Sequence, residues 1–532
     1  MRWRKVAIGA GLALAVLAPA QVASAHAGLE ASVPSANAVL ETGPPNIELD
    51  FNEAVDAPLA DIELYDQTVK LIPTGTPESI TDDSVVQASV PAIGDGVYVV
   101  VWRVPSADGH VVDGVFSFQV GAQSGVEVGA LIDKVSGSAT ANSTVGRLYT
   151  AARLLGLVGL IVLIGGGFLA IQFADSSSNR MLLWLAWVFL LIGSLGFFGL
   201  YGAKVVAGSP ADAIKPSVWG KIVGSHTASV LLVRAMIVVA LGVLLATFAR
   251  RAAVVWRGAA LVLGVALVLT YSTVGHANAQ HPAALWIAID AVHLTAISLW
   301  IGGLLMFAFG TSAWLTDPDA ERLVRRFSLI SMTGVPVIVI TGIAQTLKLA
   351  GGLDDIGNTS WGRTLLVKVA VVTVLVAIGG VSQWLLRNDG PPALKHNVLV
   401  EALIGIGVVG LAAALVALPP RVVAASKVFT TTLTQAGVIA DVTVTPGHVG
   451  QNEIHLVITP PGGSIEPVAS TTVQAQPSDG TAAVPATLVV LGPNHYTGTI
   501  TLANPGDWTL QINVVPTQGQ SVDMSAVMPI PG

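Results

Sequence analysis

The sequence predicts a multidomain membrane protein: an N-terminal β-sandwich, an eight-helix transmembrane bundle and a C-terminal β-sandwich. Three observations predict this fold class. Of 532 residues, 52% are hydrophobic and 11% are charged, a balance typical of a chain that lies largely in lipid. Eight apolar stretches, each long enough to cross a bilayer of about 30 Å, fill its centre. Short alternating segments between turn residues lie on either side of them.

Residues 1–25 have the pattern of a secretory signal peptide. Three basic residues stand in the first five positions, an apolar stretch covers 6–17, and Ala-Ser-Ala at 23–25 fits a cleavage site. The alternative is an uncleaved membrane anchor, for which the apolar stretch is short. Cleavage would leave His26 as the amino terminus and would place the next domain outside the cytoplasm.

Residues 26–125 are predicted to form the first β-sandwich. In segments 47–51 and 116–120 every second residue is large and apolar, as in a strand with one buried face. Turn-forming sequences such as Gly-Asp-Gly at 94–96 separate these segments. Residues 126–147, rich in Ser, Thr, Ala and Gly around their centre, are interpreted as a linker.

Residues 148–420 are predicted to form the membrane domain. The eight apolar stretches centre near Val162, Leu191, Val238, Val265, Ile297, Val339, Val374 and Val408. If the first domain is exported, alternate loops are cytoplasmic, and these loops hold many basic residues, as the positive-inside rule requires. They are Arg180, Arg250, Arg251, Arg257, Arg322, Arg325, Arg326, Arg387 and Lys395.

Residues 427–532 are predicted to form a second extracytoplasmic β-sandwich, because an even number of spans returns the chain to the outside. Strand-like runs occur at 442–444, 455–458 and 508–512. The domain contains three scattered histidines, which are expected to bind no metal. They are His448, His455 and His495.

The composition excludes several classes of function. The chain has no cysteine, so disulfides, thiolate metal sites and cysteine nucleophiles are excluded. A net charge of −7 without a basic patch argues against nucleic acid as a partner. The sequence contains no phosphate-binding loop of the GxxxxGK[ST] type, which argues against ATP-driven pumping by this chain alone.

The candidate metal ligands of the first domain are His26, Asp108 and His110. An N-terminal histidine offers its α-amine and ring Nδ1 to one metal ion. Asp108 and His110 stand two apart, so on extended backbone their side chains leave the same face. The resulting three nitrogens and one oxygen suit Cu(II). The alternative is a surface histidine beside an ordinary Asp-Gly turn.

The first domain resembles the CopC family of copper-binding domains. Four segments carry the resemblance: HAGLEASVP from residue 26, LDFNE from 49, YVVVWRVPSADGH from 98 and GVFSF from 114. The resemblance implies that His26, Asp108 and His110 are Cu(II) ligands. It also implies that Glu53 orients the amine or a bound water, although a solvated Glu is the alternative. No methionine lies between Met1 and Met181, so a thioether Cu(I) site in this domain is excluded.

The third, fourth and fifth apolar stretches contain or adjoin four histidines, which are candidates for a metal path because ionisable groups at membrane depth are costly. They are His226, His276, His281 and His293. His293 lies about 14 Å along its predicted helix, near the bilayer midplane. Met306, Met332 and Glu401 are predicted toward the inner side.

The membrane domain resembles the CopD family of copper-resistance membrane proteins. The matching segments are GHA at 275–277, HLTAISLWIGGL at 293–304, RFS at 326–328, GRTLLVK at 362–368, and Glu401. This implies copper movement across the cytoplasmic membrane, usually described as uptake. The domain order is similar to that of fused copper-acquisition proteins of the YcnJ type. The pattern from Gly437 to Gly450 resembles a YtkA-like sandwich.

The sequence thus predicts a copper transporter rather than an enzyme, with Cu(II) as the bound metal. Its expected partners are the copper ion, the lipid bilayer and an extracytoplasmic copper chaperone. The main alternative is a membrane redox protein whose haem is held by His276 and His293. Two further alternatives are a copper oxidase, in which Asp108 would occupy the position that oxygen needs, and a passive copper sensor or buffer.

Overall fold

The computed structural model describes most of the chain in separate ranges. These are residues 28–36, 38–40, 42–51, 53–81, 83–106, 109–121, 131–132, 134–135, 143–171, 177–280, 282–310, 318–350, 356–357, 359–416, 418, 429–445, 447, 449–460, 467–478, 480, 482–517 and 520–530. The predicted signal peptide lies outside the described residues. Within them, two β-sheet domains flank eight long helices, which confirms the predicted fold class.

The N-terminal domain consists of two sheets packed face to face. Its strands are β1 (Leu29–Val33), β2 (Val39–Leu40), β3 (Asn46–Phe51), β4 (Asp61–Asp66), β5 (Leu71–Ile72), β6 (Glu78–Thr81), β7 (Val85–Ser89), β8 (Gly96–Pro105) and β9 (Val111–Val120). One sheet has the order β1-β3-β7-β6 and the other the order β2-β9-β8-β4-β5. As the alternation predicts, Ile47, Leu49 and Phe51 all point into the core between the sheets.

Strand β8 is buried along its whole length because both of its faces are covered. Tyr98 and Trp102 point into the core between the sheets. The opposite face, which includes Val99, packs against Leu131 and Val135. This central strand is therefore a rigid support for the turn that leads from β8 into β9.

Eight helices are each long and apolar enough to cross a membrane, as predicted. They are α1 (Ser143–Ile161, continuing to Ala170), α2 (Ser177–Val205), α3 (His226–Ala246), α4 (Val254–Ser272), α5 (Ala283–Ile297, continuing to Phe309), α6 (Pro318–Leu349), α7 (Ser360–Asn388) and α8 (Lys395–Val416). The chain is thus a multi-pass membrane protein. Odd-numbered helices begin, and even-numbered helices end, on the side of the N-terminal domain.

Helices α1 and α5 meet at a close contact between two π-helical turns, Val162–Gly166 and Ser298–Gly302. A Cβ added to Gly165 would collide with the carbonyl oxygen of Ser298, and one added to Gly302 would collide with that of Ile161. Small residues allow helix backbones to approach closely in membranes, where packing rather than apolar burial holds helices together. The two glycines therefore set the separation of α1 and α5.

The C-terminal domain is also built from two antiparallel sheets. Its strands are β10 (Phe429–Gln435), β11 (Val438–Thr445), β12 (Gly450–Thr459), β13 (Ser470–Pro477), β14 (Val484–Pro485), β15 (Thr487–Gly492), β16 (His495–Leu502), β17 (Gly506–Val515) and β18 (Val522–Ile530). The sheet orders are β10-β11-β12-β16-β15 and β14-β13-β17-β18. The even-numbered residues of β11, β12 and β16 fill the core, so the odd-numbered ones face outward.

The substitution Gly165→Ala is expected to lower the thermal unfolding midpoint of the detergent-solubilised protein, because overpacking costs about 1–3 kcal/mol. A matched control is Gly334→Ala in α6, where a Cβ would meet nothing within 4 Å. That control should leave the midpoint unchanged or raise it slightly, since alanine favours helix. Equal midpoints for both variants would contradict the proposed constraint.

Candidate metal site

The turn between β8 and β9 presents His110 in a fixed position. The backbone N–H of Ser106 donates to the carbonyl oxygen of His110 (2.7 Å), and the N–H of Gly109 donates to that of Ser106 (2.9 Å). Gly109 has a φ of 85°, a conformation that favours glycine. Ser106 is buried and forms a bridge with Val55. These bonds hold the turn on the end of the sandwich.

This turn is docked on the helix bundle. The Tyr149 hydroxyl of α1 donates to the carbonyl oxygen of Gly109 (3.1 Å). A Cβ on Gly109 would lie 3.4 Å from Val274 Cγ1 and 3.6 Å from Thr227 Cγ2, so the turn touches both α3 and the segment after α4. The His110 ring stacks on that of His276, with centroids 5.8 Å apart and planes 5° apart. The predicted copper ligand therefore lies directly against a predicted membrane-path residue.

His226, the first residue of α3, lies at the same mouth. Ser225 caps this helix, since its hydroxyl oxygen accepts from the N–H of Ala228 (3.1 Å). The backbone N–H of His226 donates to the carboxylate of Asp56 in the N-terminal domain. Burial raises the pKa of Asp56, while the hydrogen bond and the nearby imidazole oppose that rise. A carboxylate from one domain thus meets the positive end of a helix from the other.

His293 lies deeper, ten residues into α5 and so about 15 Å from its start. Its Nδ1 lies 2.7 Å from the Thr341 hydroxyl of α6. The Thr341 hydroxyl also lies 2.6 Å from the carbonyl oxygen of Val337, and when it donates its proton there, Nδ1 of His293 is the donor to Thr341. This leaves the lone pair of Nε2 available to a metal, as in histidine ligands held by a second hydrogen bond.

Asp290 adds a buried carboxylate to the interior of the bundle. It stands one helical turn before His293 in α5, and it interacts with the charge of His276, of Arg153 in α1 and of Lys368 in α7. Asp290 is not among the site residues predicted from the sequence. The structure therefore adds a carboxylate between His276 at the mouth and His293 inside the bundle.

The bundle also contains a cationic layer, defined here as Arg153, Arg234 and Lys368. Arg234 is 3% exposed, and its Nη2 donates to the carbonyl of Thr270 (2.6 Å). Its guanidinium lies 3.8 Å from the Tyr271 ring centroid. Arg153 and Arg234 are not among the residues predicted from the sequence, although a charged residue inside an apolar span is a visible signal. Lys368 was noted only as part of a family motif.

Glu401 is not brought together with the histidines. It is 4% exposed near the start of α8, and its carboxylate accepts from the Ser382 hydroxyl of α7 (2.5 Å). Asn397 donates to the same hydroxyl oxygen (3.3 Å). Of the two methionines predicted toward this end, Met306 is buried, whereas Met332 is 53% exposed on the outer surface of α6. Met332 therefore does not point into the interior of the bundle.

Three of the predicted ligands or path residues lie outside the described residues: His26, Asp108 and His281. Glu53 is half-buried just after β3, two residues before the Val55 bridge to the turn. Among the residues that are described, no group of three histidine, aspartate or glutamate side chains is arranged to hold a metal ion. The complete ligand set of the N-terminal site thus remains a prediction.

Three segments match known protein families. Residues 29–121 match the CopC domain, residues 143–284 the copper resistance protein D-like N-terminal domain, and residues 321–415 copper resistance protein D. The chain is 26% identical to the copper transport protein CutJ of Bacillus subtilis over 457 residues, which cover 82% of this chain and 83% of CutJ. It is 31% identical to protein YobA of Escherichia coli K12 over 114 residues, 20% of this chain and 91% of YobA.

Two solved structures are similar to the N-terminal domain. CopC from Methylosinus trichosporium OB3b is 30% identical, with 18% of this chain and 93% of that chain covered and a TM-score of 0.17. PcoC, a methionine-rich copper resistance protein from Escherichia coli, is 24% identical, with 18% and 99% covered and a TM-score of 0.17.

The double substitution His110→Cys with His276→Cys is expected to form an intramolecular cross-link readily with a short thiol reagent, because the two rings stack. The chain has no native cysteine, so no other thiol competes. The control pair, His110→Cys with His396→Cys, joins the turn to an exposed residue at the start of α8, on the opposite side of the bundle. Equal cross-linking of both pairs, or of neither, would contradict the docking.

Proposed function

Since this chain belongs to the copper-resistance family that joins a CopC domain to a CopD membrane domain, we propose that it captures Cu(II) outside the cell and moves copper inward across the cytoplasmic membrane. The single observation that carries this proposal is the stacking of His110 on His276. Because a predicted copper ligand of the N-terminal domain contacts the mouth of the membrane domain, copper needs no separate carrier protein to pass between these two domains.

In the first step, His26, Asp108 and His110 bind Cu(II). The amine and ring of His26 with the imidazole of His110 supply three nitrogens, and Asp108 supplies an oxygen. Glu53 orients the amine or a bound water. The support for this ligand set is the family resemblance together with the fixed turn that carries His110. An extracytoplasmic copper chaperone is the proposed donor.

In the second step, copper passes from His110 to His276 by exchange of one imidazole for another. His226 lies at the same mouth as an additional nitrogen ligand. Asp290 then offers a negative charge between His276 and His293, and Nε2 of His293 receives the ion. Ligand exchange suits this layer because Arg153, Arg234 and Lys368 would repel a free cation.

The haem alternative is less consistent with the geometry. Two axial haem ligands must face each other across the space for the macrocycle. His276 instead stacks on His110, and His293 bonds Thr341 on α6. A purified protein without haem absorbance would agree with the transporter assignment.

The substitution His110→Ala is expected to weaken Cu(II) binding by at least about 10-fold. Loss of a residue that only supports a metal ligand already lowers metal affinity by roughly 10–100-fold, and His110 is proposed to be a ligand itself. One extra residue before His26 should have a similar effect, because it converts the chelating amine into an amide. The measurement is Cu(II) titration of the full chain against a competing chelator, with EPR to count nitrogen ligands. His396→Ala is the control. If neither change altered the Cu(II) affinity, these residues would not be the Cu(II) ligands.

The substitution His293→Ala is expected to abolish copper flux into proteoliposomes while leaving Cu(II) binding at the N-terminal domain intact. Thr341→Val should lower flux by about 10-fold, since it removes the group that orients the imidazole. Thr373→Val on the exposed surface of α7 is the matched control and should transport normally. Normal flux with His293→Ala would exclude this residue from the path.

A further inference from the structure

The C-terminal domain presents a pair of histidines that the function proposed above does not use. His455 lies on β12 and His495 on the adjacent strand β16. In the antiparallel register His455 is opposite Thr497, and His495 is opposite Val457, so the two histidines are diagonal neighbours. Both belong to the odd-numbered, outward-facing set, and diagonal neighbours on one sheet face are within reach of long side chains.

The two rings point their Nε2 atoms at each other. These atoms are 2.6 Å apart, and the ring centroids are 4.5 Å apart with an interplanar angle of 83°. An imidazole nitrogen that donates a proton to a second imidazole requires the second to be neutral, so the pair shares one proton. Burial, followed by the nearness of His495, lowers the pKa of His455 to about 4.

We propose that His455 and His495 bind one Cu(I) ion between their Nε2 atoms, in place of the shared proton. Monovalent copper accepts two nearly collinear nitrogen ligands, and imidazole is a suitable ligand for copper. With metal–imidazole bonds of about 2 Å, the nitrogens must separate to about 4 Å. Both side chains are half-buried on an outward face of the sheet, so they can rotate apart without disturbing the core.

The neighbouring side chains favour a cation at this place. Glu453 stands two residues before His455 on the same outward face, and its carboxylate accepts from the Thr497 hydroxyl (2.9 Å). Asp441 of β11 is paired with Val457 and also faces outward. Two carboxylates thus share the outward face of this sheet with the histidine pair.

The identification of the metal as copper rests on the proposed function, whereas the existence of a metal site rests on the geometry of the His455–His495 pair. The three histidines of this domain were expected to bind no metal, because their positions in the sequence do not reveal the strand register that pairs two of them. His448, the third of them, lies outside the described residues. The cross-strand pairing of β12 with β16 is what brings His455 and His495 together.

The test is an anaerobic Cu(I) titration of the full chain in detergent against a chromophoric competing chelator. It should be performed in the His110→Ala background, so that failure of the N-terminal site cannot affect the result. We expect His455→Gln with His495→Gln to bind one equivalent of Cu(I) fewer than this background. His396→Gln, an exposed histidine elsewhere, should lose none. X-ray absorption should report two nitrogen neighbours for the bound ion.

Three results would overturn the proposal. One is unchanged stoichiometry and affinity in the double glutamine variant. The second is loss of binding that accompanies a lower thermal unfolding midpoint of the variant, because the loss would then be structural. The third is displacement of Cu(I) from the pair by equimolar Zn(II), which would assign the site to a different metal.

Discussion

A metal ion can change ligands without entering solution only where the giving and receiving groups lie within a few ångströms. The docked β8–β9 turn satisfies this constraint, and much of the structure serves it. Strand β8 is buried on both faces, Gly109 adopts the backbone conformation that closes the turn, and Tyr149 fixes that turn to α1. If the turn moved by a few ångströms, His110 would no longer contact His276.

The charged residues of the bundle impose a second condition. A buried guanidinium is costly unless it is bonded, and Arg234 meets this need with the Thr270 carbonyl and the face of Tyr271. Together with Arg153 and Lys368 it makes the layer beneath the mouth positive, and the carboxylate of Asp290 opposes this charge. Such a layer opposes a free cation but accepts one whose charge is spread over imidazole and carboxylate ligands.

The sequence was sufficient for the fold class because its signals are local. Hydropathy alone reveals eight spans, and alternation in segments such as 47–51 identifies buried strand faces. The contacts that define the site are not local. The stacking of His110 on His276 depends on how two domains dock, and the His455–His495 pair depends on strand register. No periodicity in a single segment reports either of them.

Asp290 and Lys368 lie between these two cases, because their sequence signal is local but their interaction is not. Each interrupts an apolar span, so each could be recognised as costly at membrane depth. Their sequence positions, one in α5 and one in α7, do not indicate that they interact. Glu401 is the opposite case: it was predicted to belong to the membrane path, but its bond to Ser382 places it in a separate contact between α7 and α8.

The close contact of α1 with α5 bears on what happens beyond His293. Gly165 and Gly302 allow the backbones to touch, and Met306 beside them is buried. π-helical turns such as these leave carbonyl groups outside the regular helical pattern and are frequent at functional sites. Gly302 lies nine residues after His293 in α5, so this contact is deeper in the bundle than the last histidine of the proposed path. A copper path that continued along α5 beyond His293 would have to pass this closely packed contact, and α1 and α5 would then have to separate.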